Sequence, residues 1–283
     1  MLQDKINGAM IRAICTDIDG TLLDSRRELS LKTVEVIQKI SSSMPVVLAS
    51  SRMPSAMRHL QEALGILDHP LICYNGGYVI HFGDDGRTKV IYSTDIPLQI
   101  CEAILAAAQK YFVHISFYRE DVWFAPRMDE WTAREERITK VSPILRDGGK
   151  VLSSWKESGQ GAHKVMIMGK PEDILGLERE LREKFSDVIH VYHSKSTYLE
   201  IAPKIISKAS ALELLLRELY KISMSDVLAF GDNYNDIDLL RSVGLGIAVA
   251  NARQEVKEVA KEITLDSKQD GVAHAICNHL LTC

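Results

Sequence analysis

Short, continuous apolar runs alternate with amphipathic stretches at both ends of the chain, and the middle follows a different pattern. At the N-terminal end the spacing predicts strands over 11–16, 45–49 and 71–74 and helices over 31–40 and 55–64. The alternation returns near the C-terminus, with helices over 208–220 and 236–241 and strands over 227–230 and 246–249. Strand and helix in regular succession is the grammar of βαβ units on a parallel sheet, so the two ends together predict a doubly wound, Rossmann-like α/β core.

After the Gly83-Asp84-Asp85-Gly86 turn the character changes. Strands are expected over 89–92, 114–117, 122–124, 164–168, 188–192 and 198–201, with helices over 98–110, 130–138 and 172–185. Adjacent strands mixed with helices indicate an inserted α+β domain with a partly antiparallel sheet. The reading divides the chain into a core of 1–83 and 196–283 and an inserted cap of 84–195. Gly148-Gly149 and residues 158–161 read as loops inside the insert.

Length and composition fit this division. A chain of 283 residues can hold a core plus an insert. Its 46% hydrophobic and 25% charged residues are ordinary globular values, which excludes disordered, collagenous and membrane classes. A formal net charge of -4 gives no basic footprint, so neither nucleic acid nor an anionic membrane is an expected partner. The five cysteines are scattered without a C-x-x-C pair, which suits a reducing cytoplasm. The first apolar run, 10–15, is too short for a signal segment, and the stretch 243–250 falls far below the roughly 20 residues of a membrane span.

The candidate chemistry begins where the first strand ends, at Asp17-Ile18-Asp19-Gly20-Thr21-Leu22. In open α/β sheets ligands bind at that edge. Two carboxylates two residues apart, followed by a glycine, can gather a hard cation and leave one oxygen free to attack phosphorus. Asp17 is the candidate nucleophile. Asp19 is the candidate general acid that protonates the leaving oxygen and then, as base, activates water. An ordinary capped turn and a calcium loop are the rival readings of the segment. The calcium loop fails because its sixth position, which needs glycine, is Leu22.

A second acidic turn, Gly231-Asp232-Asn233-Tyr234-Asn235-Asp236, again follows an apolar strand. Two such turns on neighbouring strands concentrate negative charge that calls for a cation. Asp232 is the expected direct ligand, with Asp236 orienting the site and Asn235 offering an amide. Phosphoryl transfer also needs donors on the equatorial oxygens. Ser50-Ser51-Arg52, read as a helix N-terminus after the second strand, and Lys208 at the start of a later helix can supply them. In isolation, Ser50 is more often a helix cap and Lys208 more often a solvated surface lysine.

Taken in order, Asp17 to Leu22, Ser50 to Arg52, Asn75-Gly76, Lys208, and Gly231 to Asp236 resemble the motifs of haloacid dehalogenase (HAD) superfamily phosphatases of the Cof type. The resemblance spans essentially the whole chain. It implies a Rossmann-like core, an α/β cap, Mg2+ as cofactor, and activity on phosphorylated sugars or related metabolites. It also implies Asp17 as nucleophile, Asp19 as acid and base, Ser50 as the phosphate hydroxyl and Lys208 as the neutralising cation. Metal binding is implied for Asp17, the Asp19 backbone carbonyl and Asp232, with Asp236 in support. Ser51, Arg52, Asn75, Gly76 and Asn235 are the further substrate-site residues. The chain departs from the pattern at Ser50-Ser51, where the family usually has Thr-Gly, at Ala209, where glycine is common, and at Ile205 after Pro203-Lys204. A serine keeps the hydroxyl, whereas Ser51 and Ala209 change how closely backbone approaches ligand.

Other features read as structural. His190 and His193 fall on opposite strand faces and are not expected to share a metal. The run Arg134-Glu135-Glu136-Arg137 reads as a solvated helix face, and Tyr118, Trp123, Phe124 and Met128 as core before pocket lining. The alternatives to a phosphatase are a phosphomutase of the same superfamily and a catalytically silent metabolite-binding protein.

Overall fold

A computed structural model of the protein describes residues 10–83 and 86–281. Asp84 and Asp85 of the expected boundary turn, residues 1–9 and Cys283 lie outside the described residues. The chain divides into two compact units, one of Met1–Ser51, Met57–Tyr92 and Ser207–Cys283, the other of Arg52–Ala56 and Ser93–Ile206.

The first unit contains β1 (Ala13–Thr16), α1 (Leu31–Ser41), β2 (Val46–Ala49), α2 (Ser55–Leu64), β3 (Leu71–Cys73), β4 (Tyr78–Phe82) and β5 (Thr88–Ser93). The second unit follows with α3 (Leu98–Ala108), β6 (Val113–Arg119), β7 (Val122–Ala125), α4 (Glu130–Thr139), β8 (Ile144–Leu145), α5 (Gly148–Trp155), β9 (Lys164–Gly169), α6 (Pro171–Phe185), β10 (Ile189–Lys195) and β11 (Tyr198–Pro203). The chain then returns to the first unit with α7 (Lys208–Leu219), β12 (Val227–Gly231), α8 (Ile237–Ser242), β13 (Leu245–Ala248), α9 (Gln254–Val259), β14 (Glu262–Ile263) and α10 (Gly271–Leu280).

The first unit's sheet runs β14-β13-β12-β1-β2-β3-β4-β5. Pairing is parallel from β14 through to β3, and β4 is antiparallel to β3. Counted along the chain, the six parallel strands lie in the order 3-2-1-4-5-6, the doubly wound arrangement. β1, β2 and β12 are buried at every residue, as strands covered on both faces must be, which is why they read as unbroken apolar runs. On α1, Thr33, Val36, Ile37 and Ile40 form the buried stripe, and Ser30 caps the helix by accepting from the Thr33 N–H at 3.0 Å.

The second unit has a six-stranded sheet, β10-β11-β9-β6-β7-β8, antiparallel except where β8 joins β7. Alternation sends Phe117, Val165, Ile167, Leu199 and Ile201 into one core with Ile104 of α3, Trp155 of α5 and Leu177 of α6. The Trp131 ring at the start of α4 meets Tyr198 edge-on, with 5.8 Å between centroids.

Several expectations are corrected here. The boundaries at 84 and 195 move to 93 and 207: β5 is an edge strand of the first sheet, and β10 and β11 are hydrogen-bonded neighbours in the second, so a break at 195 would split a hairpin. Gly148-Gly149 does not form a loop but opens α5, because Asp147 caps it and a side chain at Gly148 would press on the Phe117 ring at 3.1 Å. The charged run on α4 is not wholly solvated, since Glu135 is buried on the same face as Thr132. Tyr118 and Trp123 are buried and stacked 5.5 Å apart, whereas Met128 is exposed. Among the described residues no helix is long and apolar enough to cross a membrane.

Candidate active site

The parallel order reverses direction between β1 and β12, and at such a switch point the carboxyl ends of the strands leave a crevice for ligands. Both acidic turns leave from this place. Thr16 at the end of β1 stands beside Phe230 of β12, and the Asp17 N–H donates to the Phe230 carbonyl at 3.1 Å. The residues after Asp17 make a wide turn over Ile18–Leu22, in which Gly20 takes φ +89°. No side chain fits there: a Cβ on Gly20 would stand 2.5 Å from an Asp232 carboxylate oxygen. The Thr21 hydroxyl donates to the other Asp232 oxygen, Oδ1, at 3.0 Å.

Lys208 is the centre of the constellation. It is fully buried, and its ammonium donates to Asp17 Oδ1 at 2.5 Å and to Asp236 Oδ1 at 2.7 Å. A capping box made by Ser207 and Ser210 starts α7 at this residue, which fixes the lysine's direction. The remaining oxygen of Asp236 accepts from the backbone N–H groups of Asp232 (3.0 Å) and Asn233 (3.1 Å). Asp236 thereby shapes its own turn and presents the Asp232 carboxylate. Gly231 is required for this, because a Cβ there would fall 2.4 Å from that of Asp236.

The other predicted residues form a second string of contacts. Ser50 is buried, its N–H bonded to the Ile72 carbonyl and its carbonyl to the Asn75 N–H, both at 2.9 Å. The Asn235 amide donates to Asn75 Oδ1 at 2.9 Å. Tyr74, Asn75 and Gly76 all have positive φ, and a Cβ on Gly76 would stand 2.6 Å from the Ser207 carbonyl. This turn therefore packs against the start of α7, where Lys208 sits.

Ser50 does not lie at a helix N-terminus as expected: α2 begins at Ser55, and the Ser50 N–H is committed to the sheet. Ser51 is half-buried. Arg52 is buried and directs its guanidinium to the Ala56 carbonyl at 3.1 Å. The Asp19 side chain stands apart from the three clustered aspartates, about two-fifths exposed, with Arg27 Nη1 3.7 Å from its Oδ1.

Three contributors escaped the sequence reading. Thr21 lay inside the motif without a role. Arg27 reaches Asp19 from a left-handed backbone position, φ 64°, in a tight turn where Asp24 accepts from the N–H groups of Arg26 and Glu28. The spacing of Asp24 and Glu28 is the signal that could have located that turn. Asn251, whose amide donates to the Gly20 carbonyl at 2.7 Å, comes from a loop 231 residues away and left no local signal.

One oxygen each of Asp17, Asp232 and Asp236 lie within 4.8 Å of one another. Burial pushes the Asp17 carboxyl well above the carboxylate range; Lys208 opposes this, and Asp236 and Asp232 add to it. Asp232 is pushed up to about 6 by burial and then by Asp236. Burial works against the charge on Lys208, yet Asp17 and Asp236 outweigh it and hold the ammonium above the ordinary lysine range. Three carboxylates thus face one ammonium. This all-oxygen, electron-rich donor set suits a hard divalent cation, which would relieve the crowding that raises Asp17 and Asp232.

The haloacid dehalogenase-like hydrolase family matches this chain over residues 14–276. The HMP-PP phosphatase of Serratia proteamaculans is 28% identical over 268 residues, covering 94% of each chain. The 5-amino-6-(5-phospho-D-ribitylamino)uracil phosphatase YitU of Bacillus subtilis is 26% identical over 264 residues, covering 92% of this chain and 94% of its own. A haloacid dehalogenase-like hydrolase from Bacteroides thetaiotaomicron superposes with a TM-score of 0.84 at 27% identity, over 95% of this chain and 99% of that one. The parallel core, the paired acidic turns and a match over nearly the whole length lead to one assignment: the chain belongs to the haloacid dehalogenase-like hydrolase family, among its Cof-type phosphatases, and is an enzyme of that class.

Proposed function

We propose that the protein hydrolyses small phosphate monoesters, phosphorylated sugars or related metabolites, through a phosphoryl group carried covalently on Asp17. The observation that carries this reading is the buried Lys208 ammonium held between Asp17 and Asp236. It orients the Asp17 carboxyl at the sheet edge and opposes the upward push of burial on that group. Lys208 also brings positive charge to the side of the crevice where phosphate oxygens accumulate charge in transfer. Hydrolytic relatives named for phosphate-bearing substrates support the same class.

Asp17 attacks phosphorus and the leaving oxygen departs with a proton from Asp19, whose greater exposure suits a group that meets both substrate and water. Asp19 then takes a proton from the water that splits the acyl phosphate, returning both carboxyl groups to their starting states. Ser50, Asn75 and Asn235, linked in one string, hold the phosphoryl oxygens, with Ser51, Arg52 and Gly76 forming the adjacent backbone. Mg2+ held by Asp17, the Asp19 carbonyl and Asp232 supplies charge neutralisation and orientation of the transferring group. Asp236 has both oxygens engaged by Lys208 and backbone N–H groups, and its role is to orient Asp232. The Ser93–Ile206 unit acts as the cap that selects the leaving group.

Phosphate release from sugar phosphates, nucleotides, pyridoxal phosphate and an aryl phosphate, with Mg2+ and with chelator, tests the reading. Chelator-sensitive release is the expected result. Sugar-phosphate isomerisation without free phosphate would make the enzyme a mutase, and no reaction across the panel would contradict both.

A further inference from the structure

The segment after β13, residues 249–253, lies across both acidic turns. The Val249 N–H reaches the Gly231 carbonyl at 3.3 Å, and the Arg253 N–H reaches the Asp232 carbonyl at 3.0 Å. The Arg253 guanidinium donates to Asn233 Oδ1 at 2.8 Å. Those contacts hold the second turn. Asn251 reaches the first: its amide nitrogen donates to the Gly20 carbonyl at 2.7 Å, and its amide oxygen accepts the Ser267 N–H at 2.8 Å. Because one partner can only accept and the other can only donate, the amide has one workable orientation.

The Gly20 carbonyl occupies a sensitive place. It belongs to the peptide joining Gly20 to Thr21, whose hydroxyl bonds Asp232 Oδ1 at 3.0 Å. The Gly20 α-carbon packs so closely on the Asp232 carboxylate that a Cβ would come within 2.5 Å of Oδ2. Rotation of this peptide would change the spacing between the Asp17 turn and Asp232 together. Asn251 fixes that rotation from outside, anchored in turn by the Ser267 backbone.

We propose that Asn251 is a positioning residue for cation binding, setting the separation of the Asp17 turn and Asp232 through the Gly20 carbonyl. The inference rests on the reading of these carboxylates as a divalent-cation site. Residues outside the immediate ligands of a metal commonly alter its affinity about 10–100-fold when removed, and Asn251 falls in that class.

The test is a Mg2+ titration read by the rise in thermal midpoint, made on the full chain as wild type, Asn251→Ala, Asn251→Asp and Asp232→Asn. Asn251→Ala should need at least about tenfold more Mg2+ for half the rise. Asn251→Asp keeps an acceptor for the Ser267 N–H but turns an anionic oxygen toward the Gly20 carbonyl. If charge alone governed the site, this variant would bind Mg2+ more tightly than wild type; if positioning governs it, the variant binds more weakly, which is the expected result. A half-rise within twofold of wild type for Asn251→Ala, or a tighter Asn251→Asp, overturns the inference while a normal wild-type response lost in Asp232→Asn leaves the cation site standing. A wild type that does not respond to Mg2+ overturns both.

Discussion

The two units bury polar groups in opposite ways. In the first unit the buried Asp17, Asp236 and Lys208 converge on one point from segments far apart in the chain, Lys208 and Asp17 being 191 residues apart. In the second unit buried polar side chains such as His114 and Lys164 are met singly by close neighbours on and beside an antiparallel sheet. His114 bonds Ser116, two residues away, at 2.8 Å and Asp129, fifteen residues away, at 2.9 Å, and Lys164 lies over the ring of its cross-strand neighbour Tyr118. His163 accepts the Glu120 N–H at Nδ1, so its other nitrogen carries the proton and donates to Ser93 Oγ at 2.9 Å. The Ser116-His114-Asp129 chain has the order of a hydrolytic triad, but the serine is fully buried and Asp129 is occupied in capping α4. Like charges gathered at a strand-end crevice mark a site; a neutral histidine held by neighbours marks a fold.

The contrast makes predictions of graded size. Asp17→Asn should lower turnover by at least about 10³-fold while leaving folding intact, as expected when a covalent nucleophile is removed. Phosphate release under saturating substrate checks this, with circular dichroism as control. Lys208→Met should cost roughly 3–5 kcal/mol of stability as well as activity, because it leaves two buried carboxylates without their cation. Its denaturant midpoint should recover in part at acid pH, where Asp17, already pushed up by burial, takes up a proton.

In the second unit the large effects belong to apolar packing. Ile167→Ala in the core beneath the sheet should cost about 2–5 kcal/mol in denaturant unfolding. Breaking the His114 pair should cost less than that. A smaller effect belongs to His163, which burial, followed by the positive charge of Arg119, pushes down to about 4. A buried neutral histidine stabilises the fold fully above its unfolded value near 6.5, and that contribution is lost as pH falls toward 4. His163→Gln should therefore remove up to roughly 3 kcal/mol of the pH dependence between those limits. An unchanged slope would mean that the imidazole is not held neutral.

Much of the first unit was legible because strands buried on both faces must be apolar throughout, and because catalytic turns sit where such strands end. Asp17, Asp232 and Asp236 could be grouped from those rules before any contact was known, whereas Lys208, a surface lysine in isolation, joined them only through the family resemblance. The unit boundaries were harder. β5 is an edge strand with exposed Lys89 and Val90, so nothing in its composition tied it to the first sheet. β11 is buried throughout like the core strands, and its pairing with β9 and β10 is what places it in the second sheet. Gly148-Gly149 read as a loop because glycine is a poor helix former, yet helix packing against Phe117 needed the space. Ser50 read as a helix cap for the same kind of reason: local chemistry was compatible with two backbones, and sheet pairing chose between them. The turn that carries Arg27 is marked locally by Asp24, whereas Asn251 acts through a tertiary contact that no local pattern encodes.

The central claim is that Asp17 carries the phosphoryl group. The direct measurement is acid quenching during turnover of a reactive phosphate ester, followed by borohydride reduction and peptide mass spectrometry. The account predicts homoserine at position 17 in the wild type and its absence in Asp17→Asn. Turnover with no modified aspartate, or with modification at Asp19 or Asp232 instead, would contradict it.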